Sequence, residues 1–264
     1  MGLFFRSLRS GSSGNCLLIS TPDTRVLVDC GFRTKCLCQE VVDEYAGGFP
    51  SLDGVIVTHA HGDHLGRYPL KLLSENGVSV RCHRHCLPQI RHRLDGSGPR
   101  IETFDGEPFA IGDFVFRALE VTHGPDVRTF GFEVKSERRG KWRKLAIFTD
   151  FCEWDEHIVH AMTNADFVYI ESNYDPDLER RNPNYYSRYH MSNERAAELL
   201  RIARRRSDFP PGAVMLGHLS EKRNREQLAL RAVEEEFSKN GERADFDLLV
   251  APRHEASLAV RIRG

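Results

Sequence analysis

Short apolar runs rich in β-branched residues alternate with longer charged segments along the chain, and this alternation limits the fold more than any other feature. Alternation of this kind is typical of α/β proteins. The first three runs, at residues 3–7, 16–19 and 25–28, are separated by turn residues alone, which predicts an antiparallel meander. Helical segments come later, so the pattern predicts two mixed sheets with helices outside them, rather than one doubly wound parallel sheet.

The remaining elements follow from the same periodicities. Further strands are predicted at residues 54–57, 79–82, 114–119, 129–134, 144–148, 166–170, 213–216, 246–250 and 257–260. Helices are predicted at residues 36–45, 69–75, 153–163, 193–205 and 221–239. No linker separates two cores, so we expect a single domain over residues 1–264.

Composition bounds the functional classes. A chain of 264 residues is long enough to bury a core without disulfides. Its 37 basic and 38 acidic side chains give a formal net charge of −1, so overall charge does not predict a polyanion partner. No apolar run is long enough to span a bilayer, and the first residues lack the apolar core of a signal peptide. The 7 cysteines are an odd number without regular spacing, which predicts reduced thiols and a cytoplasmic protein.

The sharpest chemical signal is a cluster of three histidines and one aspartate directly after the apolar run at residues 55–57. Imidazole and carboxylate groups are the ligands that bind zinc and similar divalent ions. Alternation along the chain points His59 and His61 the same way, and the following turn directs Asp63 and His64 to a neighbouring point. This arrangement predicts two adjacent metal ions rather than one.

Four residues cannot complete two metal sites, so other ligands are required. Three candidates share the context of a predicted strand end, namely His123, Asp150 and His218. A carboxylate such as Asp150 can bridge two cations, as two-metal hydrolases require. Strand-end Asp and His are also common in ordinary turns, so their shared placement is what favours a role as ligands.

This set of residues resembles that of the metallo-β-lactamase-fold hydrolases, in which a later His, Asp and His follow a motif like the one at residues 59–64. The resemblance implies a four-layer αβ/βα sandwich of two mixed β-sheets with helices on the outer faces. By position it implies that His59, His61 and His123 hold the first ion, that Asp63, His64 and His218 hold the second, and that Asp150 bridges them. The chain departs from a common pattern at Phe151 and Cys152, where a small residue and Gly usually follow the bridging Asp.

Shorter motifs narrow the resemblance to the YycJ/WalJ-type nucleases, which are related to RNase Z. They are the turn at residues 10–15, residues 171–175 and residues 217–220. Ser192 is a predicted N-cap, which would fix His190 on a turn just before a helix. In the RNase Z group, a His at this place is held by a carboxylate and protonates the leaving oxygen. The resemblance thus implies that Glu171 orients His190 as a general acid.

Other residues are candidates for contacts with the substrate or for support of the site. Ser12, Ser13 and Asn15 offer polar groups that suit a phosphate, although a glycine-rich hairpin explains this turn equally well. Arg188 lies among tyrosines just before His190, a combination that suits a nucleic-acid strand.

Two further features have simpler explanations. Asp29 also ends a strand, and we expect it to support the histidine loop by hydrogen bonds. Cys82, His83, His85 and Cys86 lack the paired spacing of a zinc ribbon, so ordinary packing is the favoured explanation.

Together these features predict a metal-dependent phosphodiesterase with two divalent ions, Zn²⁺ or Mn²⁺, and a hydroxide between them as nucleophile. The resemblance implies a 5′-to-3′ exonuclease acting on DNA rather than RNA, with no membrane partner; the oligomeric state is open. The alternative enzyme is a small-molecule metallohydrolase, either a cyclic phosphodiesterase or a thioester hydrolase. An iron-binding sensor or oxidoreductase and a metal-bound module without turnover are less favoured, because the histidine-rich ligand set is intact.

Overall fold

The computed structural model describes residues 2–94, 96–138 and 140–263, with the side chain of residue 138 left out. The chain forms two compact units. The first comprises the chain up to Ala118 together with Asp126–Arg128 and Pro252–Arg261. The second comprises Leu119–Pro125, Thr129–Ala251 and the end of the chain from Ile262.

The described residues form β-strands, α-helices and short 3-10 helices. The strands are β1 Leu3–Arg9, β2 Cys16–Ser20, β3 Arg25–Val28, β4 Gly54–Val57, β5 Val80–His83, β6 Ile101–Phe104, β7 Phe109–Ile111, β8 Phe114–Val121, β9 Thr129–Arg138, β10 Lys141–Phe148, β11 Phe167–Glu171, β12 Ala213–Gly217, β13 Asp247–Val250 and β14 Val260–Ile262. The α-helices are α1 Lys35–Ala46, α2 Arg67–Glu75, α3 Leu87–Arg91, α4 Glu156–Met162, α5 Pro176–Arg181, α6 Asn193–Arg205 and α7 Glu226–Lys239. Short 3-10 helices lie at Phe49–Ser51, Arg84–Cys86 and Tyr185–Tyr189.

Both sheets are mixed. The order of the first is β14-β1-β2-β3-β4-β5-β6, with antiparallel pairs from β1 to β3 and parallel pairs from β3 to β6. The order of the second is β13-β12-β11-β10-β9-β8-β7, in which β10 to β13 are parallel and β9 pairs with β10 antiparallel. The predicted pair of mixed sheets with accompanying helices is confirmed.

The inner strands of each sheet are buried on both faces, which explains their continuous apolar sequences. Every residue of β4, β11 and β12 is buried. In the second unit, α4, α6 and α7 add Met162, Leu199 and Phe237 to the hydrophobic core. Parallel strands that lie side by side bring their carboxyl ends to the same sheet edge, and this edge positions the candidate site residues.

The predicted elements differ from the structure at several points. Strands β6 and β7 and helices α3 and α5 were not predicted, because they are short and their apolar periodicity is weak. Helix α7 begins at Glu226 and not near residue 221, since the buried Asn224 side chain donates hydrogen bonds to Ser172 O and Asn173 O and fixes the preceding turn. Among the described residues, no helix is both long and apolar enough to cross a bilayer.

Candidate metal-binding clusters

The first cluster lies on the loop that follows β4. Because β3 and β4 pair in parallel, Asp29 at the end of β3 lies beside Thr58 at the end of β4. Asp29 Oδ1 accepts the Thr58 N–H at 2.8 Å, and Asp29 Oδ2 accepts the Thr58 hydroxyl at 2.8 Å and His64 Nδ1–H at 2.7 Å. The hydrogen bonds expected between Asp29 and the histidine loop are therefore present. Burial raises the pKa of Asp29, although the hydrogen bonds from His64 and Thr58 act in the opposite direction.

These hydrogen bonds select the tautomers of two imidazoles. An ionised Asp29 can only accept, so His64 carries its proton on Nδ1 and keeps a lone pair on Nε2. The Thr58 hydroxyl uses its own proton on Asp29, so at 3.0 Å it accepts from His59 Nδ1–H. His59 Nε2 then faces His61 Nδ1 at 2.8 Å, and Asp63 Oδ2 lies 3.8 Å from His64 Nε2. The lone pairs of His59 Nε2 and His64 Nε2, and the carboxylate of Asp63, are ligand types that bind a divalent cation.

The backbone of this loop is held by close contacts with three neighbouring segments. Asn15 N–H donates to Asp63 O at 2.8 Å, and Cys30 N–H donates to His64 O at 2.7 Å. A Cβ atom on Gly31 would lie 1.6 Å from Asp63 O, so only glycine allows this approach. The Arg93 guanidinium donates to the carbonyl oxygens of Ala60 and Leu65.

The second cluster lies in the other unit, where the ends of β10, β11 and β12 carry Asp150, Glu171 and His218. With His190, their ligand atoms all lie within 4.8 Å of one another. Asp150 and His218 have φ angles of 55° and 53°, and Asp29 of the first cluster has 63°. These left-handed conformations are uncommon outside glycine and occur preferentially at functional sites.

Glu171 holds both histidines of this cluster. Its Oε1 accepts from His190 Nδ1–H at 2.7 Å and from His218 Nδ1–H at 2.6 Å, while Oε2 accepts the backbone N–H groups of Phe151 at 2.9 Å and Met191 at 3.3 Å. Burial acts to raise the pKa of Glu171, but the charges and hydrogen bonds of His190 and His218 outweigh it and hold the pKa below the ordinary value. With the proton on Nδ1, each neutral ring has its lone pair on Nε2.

His123 is oriented in the same manner. Its Nδ1–H donates to Tyr189 O at 2.9 Å, and its Nε2 lies 4.0 Å from Asp150 Oδ1. A backbone carbonyl on one ring nitrogen is a common way to fix the other as a metal ligand. Burial lowers the pKa of His123, which favours the neutral ring that a metal requires.

Each unit thus brings together part of the predicted site. His59, His61, Asp63 and His64 lie together in the first unit, and His123, Asp150, Glu171, His190 and His218 lie together in the second. The expected hydrogen bond between Glu171 and His190 is present.

The candidate substrate residues are more scattered. Ser12 is exposed on its turn and Arg188 is exposed, while Ser13 is half-buried. Asn15 is buried, and its side chain accepts Gly11 N–H at 2.8 Å and donates to His64 Nε2 at 2.9 Å. A cation bound at His64 would replace that last hydrogen bond.

Three other residues bear on the sequence predictions, namely Asn173, Cys82 and Cys86. Asn173 was not predicted as a supporting residue; its amide donates to His218 O at 2.7 Å, and its only sequence signal is the polar run after the buried strand β11. Cys82 and Cys86 are buried, and within the described residues they belong to no group of three ligand atoms close enough to share an ion.

The chain is similar to known proteins in sequence and in fold. A family model described as a β-lactamase superfamily domain matches residues 24–218. Exodeoxyribonuclease YycJ of Bacillus anthracis is 27% identical over 261 residues, which cover 91% of each chain. The metallo-β-lactamase fold protein YhfI of Bacillus subtilis aligns with a TM-score of 0.72 and 17% identity over 98% of this chain and 99% of its own. A diphosphatase of the PhnP family aligns with a TM-score of 0.69 and 12% identity over 99% and 98% of the two chains.

Proposed function

The chain belongs to the β-lactamase superfamily and is a hydrolase of the metallo-β-lactamase fold, and from this premise we propose that it is a metal-dependent nuclease. The specific activity we propose is that of a 5′-to-3′ DNA exonuclease with two divalent ions, Zn²⁺ or Mn²⁺. The observation that carries the proposal is the pair of oriented ligand clusters, and the similarity to an exodeoxyribonuclease over 91% of the chain supports DNA as the substrate.

The proposal assigns the ligands as the superfamily pattern implies. His59, His61 and His123 would hold one ion, Asp63, His64 and His218 the other, and Asp150 would bridge them. His59, His64, His123 and His218 each have Nδ1 in a hydrogen bond, so in the neutral ring Nε2 carries the lone pair that would bind metal. We propose accordingly that residues 1–264 act as one catalytic domain.

Bound divalent ions supply Lewis acidity, which offsets charge on the phosphoryl oxygens and lowers the pKa of water towards neutrality. The chain's own residues do the proton transfers. Asp63, with a side chain 29% exposed, is accessible enough to hold the attacking water and accept its proton. Protonated His190 donates from Nε2 to the departing oxygen while Glu171 holds its Nδ1–H.

Exposure separates the roles of the two histidines that share Glu171 Oε1. The His218 side chain is 2% exposed, whereas that of His190 is 18% exposed. A buried ring suits a metal ligand, and an accessible ring suits a group that must reach the substrate. The same carboxylate therefore supports one residue of each kind.

Substrate contacts and location complete the proposal. Ser12, Ser13 and Asn15 would contact a phosphate from the turn between β1 and β2, and Arg188 would contact the strand near His190. We propose that the protein acts in the cytoplasm, because its 7 cysteines are an odd number without regular spacing.

The test uses purified protein reconstituted with Zn²⁺ or Mn²⁺ and end-labelled single-stranded and double-stranded DNA and RNA. Stepwise shortening of DNA from the 5′ end is the expected result, with the H157A variant, which alters an exposed histidine on α4, as the matched control for H190A. Cleavage of a small phosphodiester or thioester with no cleavage of any oligonucleotide would instead identify the small-molecule hydrolase.

A further inference from the structure

The 3-10 turn Tyr185–Tyr189, here called the aromatic turn, carries an exposed pair of large rings. Tyr185 is 64% exposed and Tyr186 is 65% exposed. Their rings meet edge to face, with centroids 5.5 Å apart and an interplanar angle of 85°. Contact between large aromatic rings and water is unfavourable, and exposed rings of this kind are typical of sites that bind a partner.

Glu179 holds the backbone of the aromatic turn in place through hydrogen bonds. One carboxylate oxygen of Glu179 accepts the Asn184 N–H at 2.6 Å, and the other accepts the Ser187 hydroxyl at 2.8 Å. Arg223 Nε lies 3.1 Å from the same carboxylate and also donates to Asn182 O at 2.6 Å. The rings therefore project from an ordered backbone, so little conformational entropy is lost when a ligand binds them.

Arg188 is fixed within the aromatic turn and keeps its charge available. Its guanidinium lies 3.5 Å from the centre of the Tyr185 ring and 4.9 Å from that of Tyr189, and it donates to the Tyr189 hydroxyl at 3.0 Å. Among the described residues it forms no ion pair, and it is exposed. A cation stacked on rings beside exposed tyrosines offers both a phosphate contact and flat apolar faces.

Direct hydrogen bonds connect the aromatic turn to the second cluster. His190 N–H donates to Ser187 O at 3.0 Å, and Tyr189 O accepts from His123 Nδ1–H. A ligand that lies on the turn therefore lies next to His190, which directly follows the turn in the chain.

We propose that the aromatic turn is a stacking platform for unpaired bases of a single-stranded nucleic acid, with Arg188 on the phosphate between the platform and His190. This inference rests on the proposed nuclease function and adds the form of the substrate. Tyrosine faces stack on bases of any sequence, whereas the bases inside a duplex already cover one another. The enzyme thus prefers single-stranded ends and binds them without sequence selection.

The test compares wild type with Y185A/Y186A, and with Y185F/Y186F, which keeps both rings. Two activities are measured: KM and kcat on a fluorescent single-stranded oligonucleotide, and hydrolysis of bis(p-nitrophenyl) phosphate, which cannot reach the platform. Loss of stacking should lower kcat/KM for the oligonucleotide, relative to the small ester, by roughly 5- to 150-fold, chiefly through KM. The Phe pair should restore it, and W142A, which removes another exposed ring (58%), should leave the ratio unchanged.

Oligonucleotide binding by fluorescence anisotropy distinguishes failure of this inference from failure of the nuclease function. If wild type binds the oligonucleotide, Y185A/Y186A binds it more weakly and no nucleic acid is cleaved, the platform is supported and the nuclease function is contradicted. An unchanged ratio in Y185A/Y186A, or equal binding by wild type and that variant, would overturn the platform.

Discussion

Replacement of Glu171 by Gln keeps the side-chain volume, and the structure predicts a large loss of stability for it. Four donors converge on this buried carboxylate: two histidine Nδ1–H groups on Oε1, and two backbone N–H groups on Oε2. A glutamine has one acceptor oxygen and one NH₂ group. Whichever way the amide is turned, its NH₂ must face a pair of donors.

The cost follows from the bonds that are lost. Hydrogen bonds to a charged group contribute roughly 1.5–3 kcal/mol each, so the loss of one pair should destabilise the fold by about 3–6 kcal/mol. Asp150 Oδ1 lies 3.6 Å from His218 Nδ1 and 3.7 Å from His190 Nδ1, which is too far to replace the lost acceptor. If the amide of E171Q turns its NH₂ towards the two imidazole rings, the variant should also bind less metal, because no acceptor then holds the Nδ1–H tautomers.

The free energy of unfolding is measured in urea for the wild type and for E171Q, each without metal and with added Zn²⁺. E133Q is the matched control, because Glu133 is also buried but its contacts include Lys135 Nζ at 3.1 Å and Lys144 Nζ at 3.9 Å, flexible amines that can follow an amide oxygen. If E171Q loses less than about 1 kcal/mol of stability and keeps its metal content and turnover, the four-donor argument is wrong.

The remaining predictions concern single residues. D63N should keep the fold and lose turnover, because an amide neither accepts the proton of water nor carries the ligand charge; full activity would refute the assigned role. H190A should retain metal by elemental analysis and lose activity by roughly 100-fold or more with a poor leaving group, and an unchanged rate would exclude it as the acid. G31A should destabilise the protein in thermal unfolding by roughly 1–3 kcal/mol or more, because its methyl group would overlap Asp63 O, and a wild-type Tm would contradict the observed approach. Burial lowers the pKa of His123, so the metal-free folded protein binds fewer protons than the unfolded chain below about pH 6.5, and its Tm should fall as the pH drops from about 7 to 5. The fall in Tm should be smaller in H123N, and an equal fall in H123N and wild type would contradict the lowered pKa of His123.

The ends of the inner strands could be predicted because two simple signals coincide there. Apolar β-branched runs define strands such as β4 and β12, and the polar residues that follow them, His59 and His218, must lie at a sheet edge. The sequence also predicted the helix α6 from its cap at Ser192 and its apolar spacing, and the structure has it at Asn193–Arg205.

The interactions that orient these side chains could not be predicted, because they depend on contacts between residues far apart in the sequence. Nothing local indicates that Glu171 would accept from both His190 and His218, or that the carbonyl of Tyr189 would fix His123. The left-handed backbone at Asp150 likewise depends on its surroundings and not on its own propensity. The resemblance to a known family supplied the Glu171–His190 pairing, which local pattern alone does not contain.

Anomalous scattering from crystals grown with Mn²⁺ or Zn²⁺ would show whether the chain holds two ions, since it locates each ion without reference to activity. Two peaks are expected, one within coordination distance of His59 and His61 and the other of Asp63 and His64, with the Asp150 carboxylate bound to both. A map with no peak at these residues, or with His123 and His218 remote from the ions, would contradict this assignment.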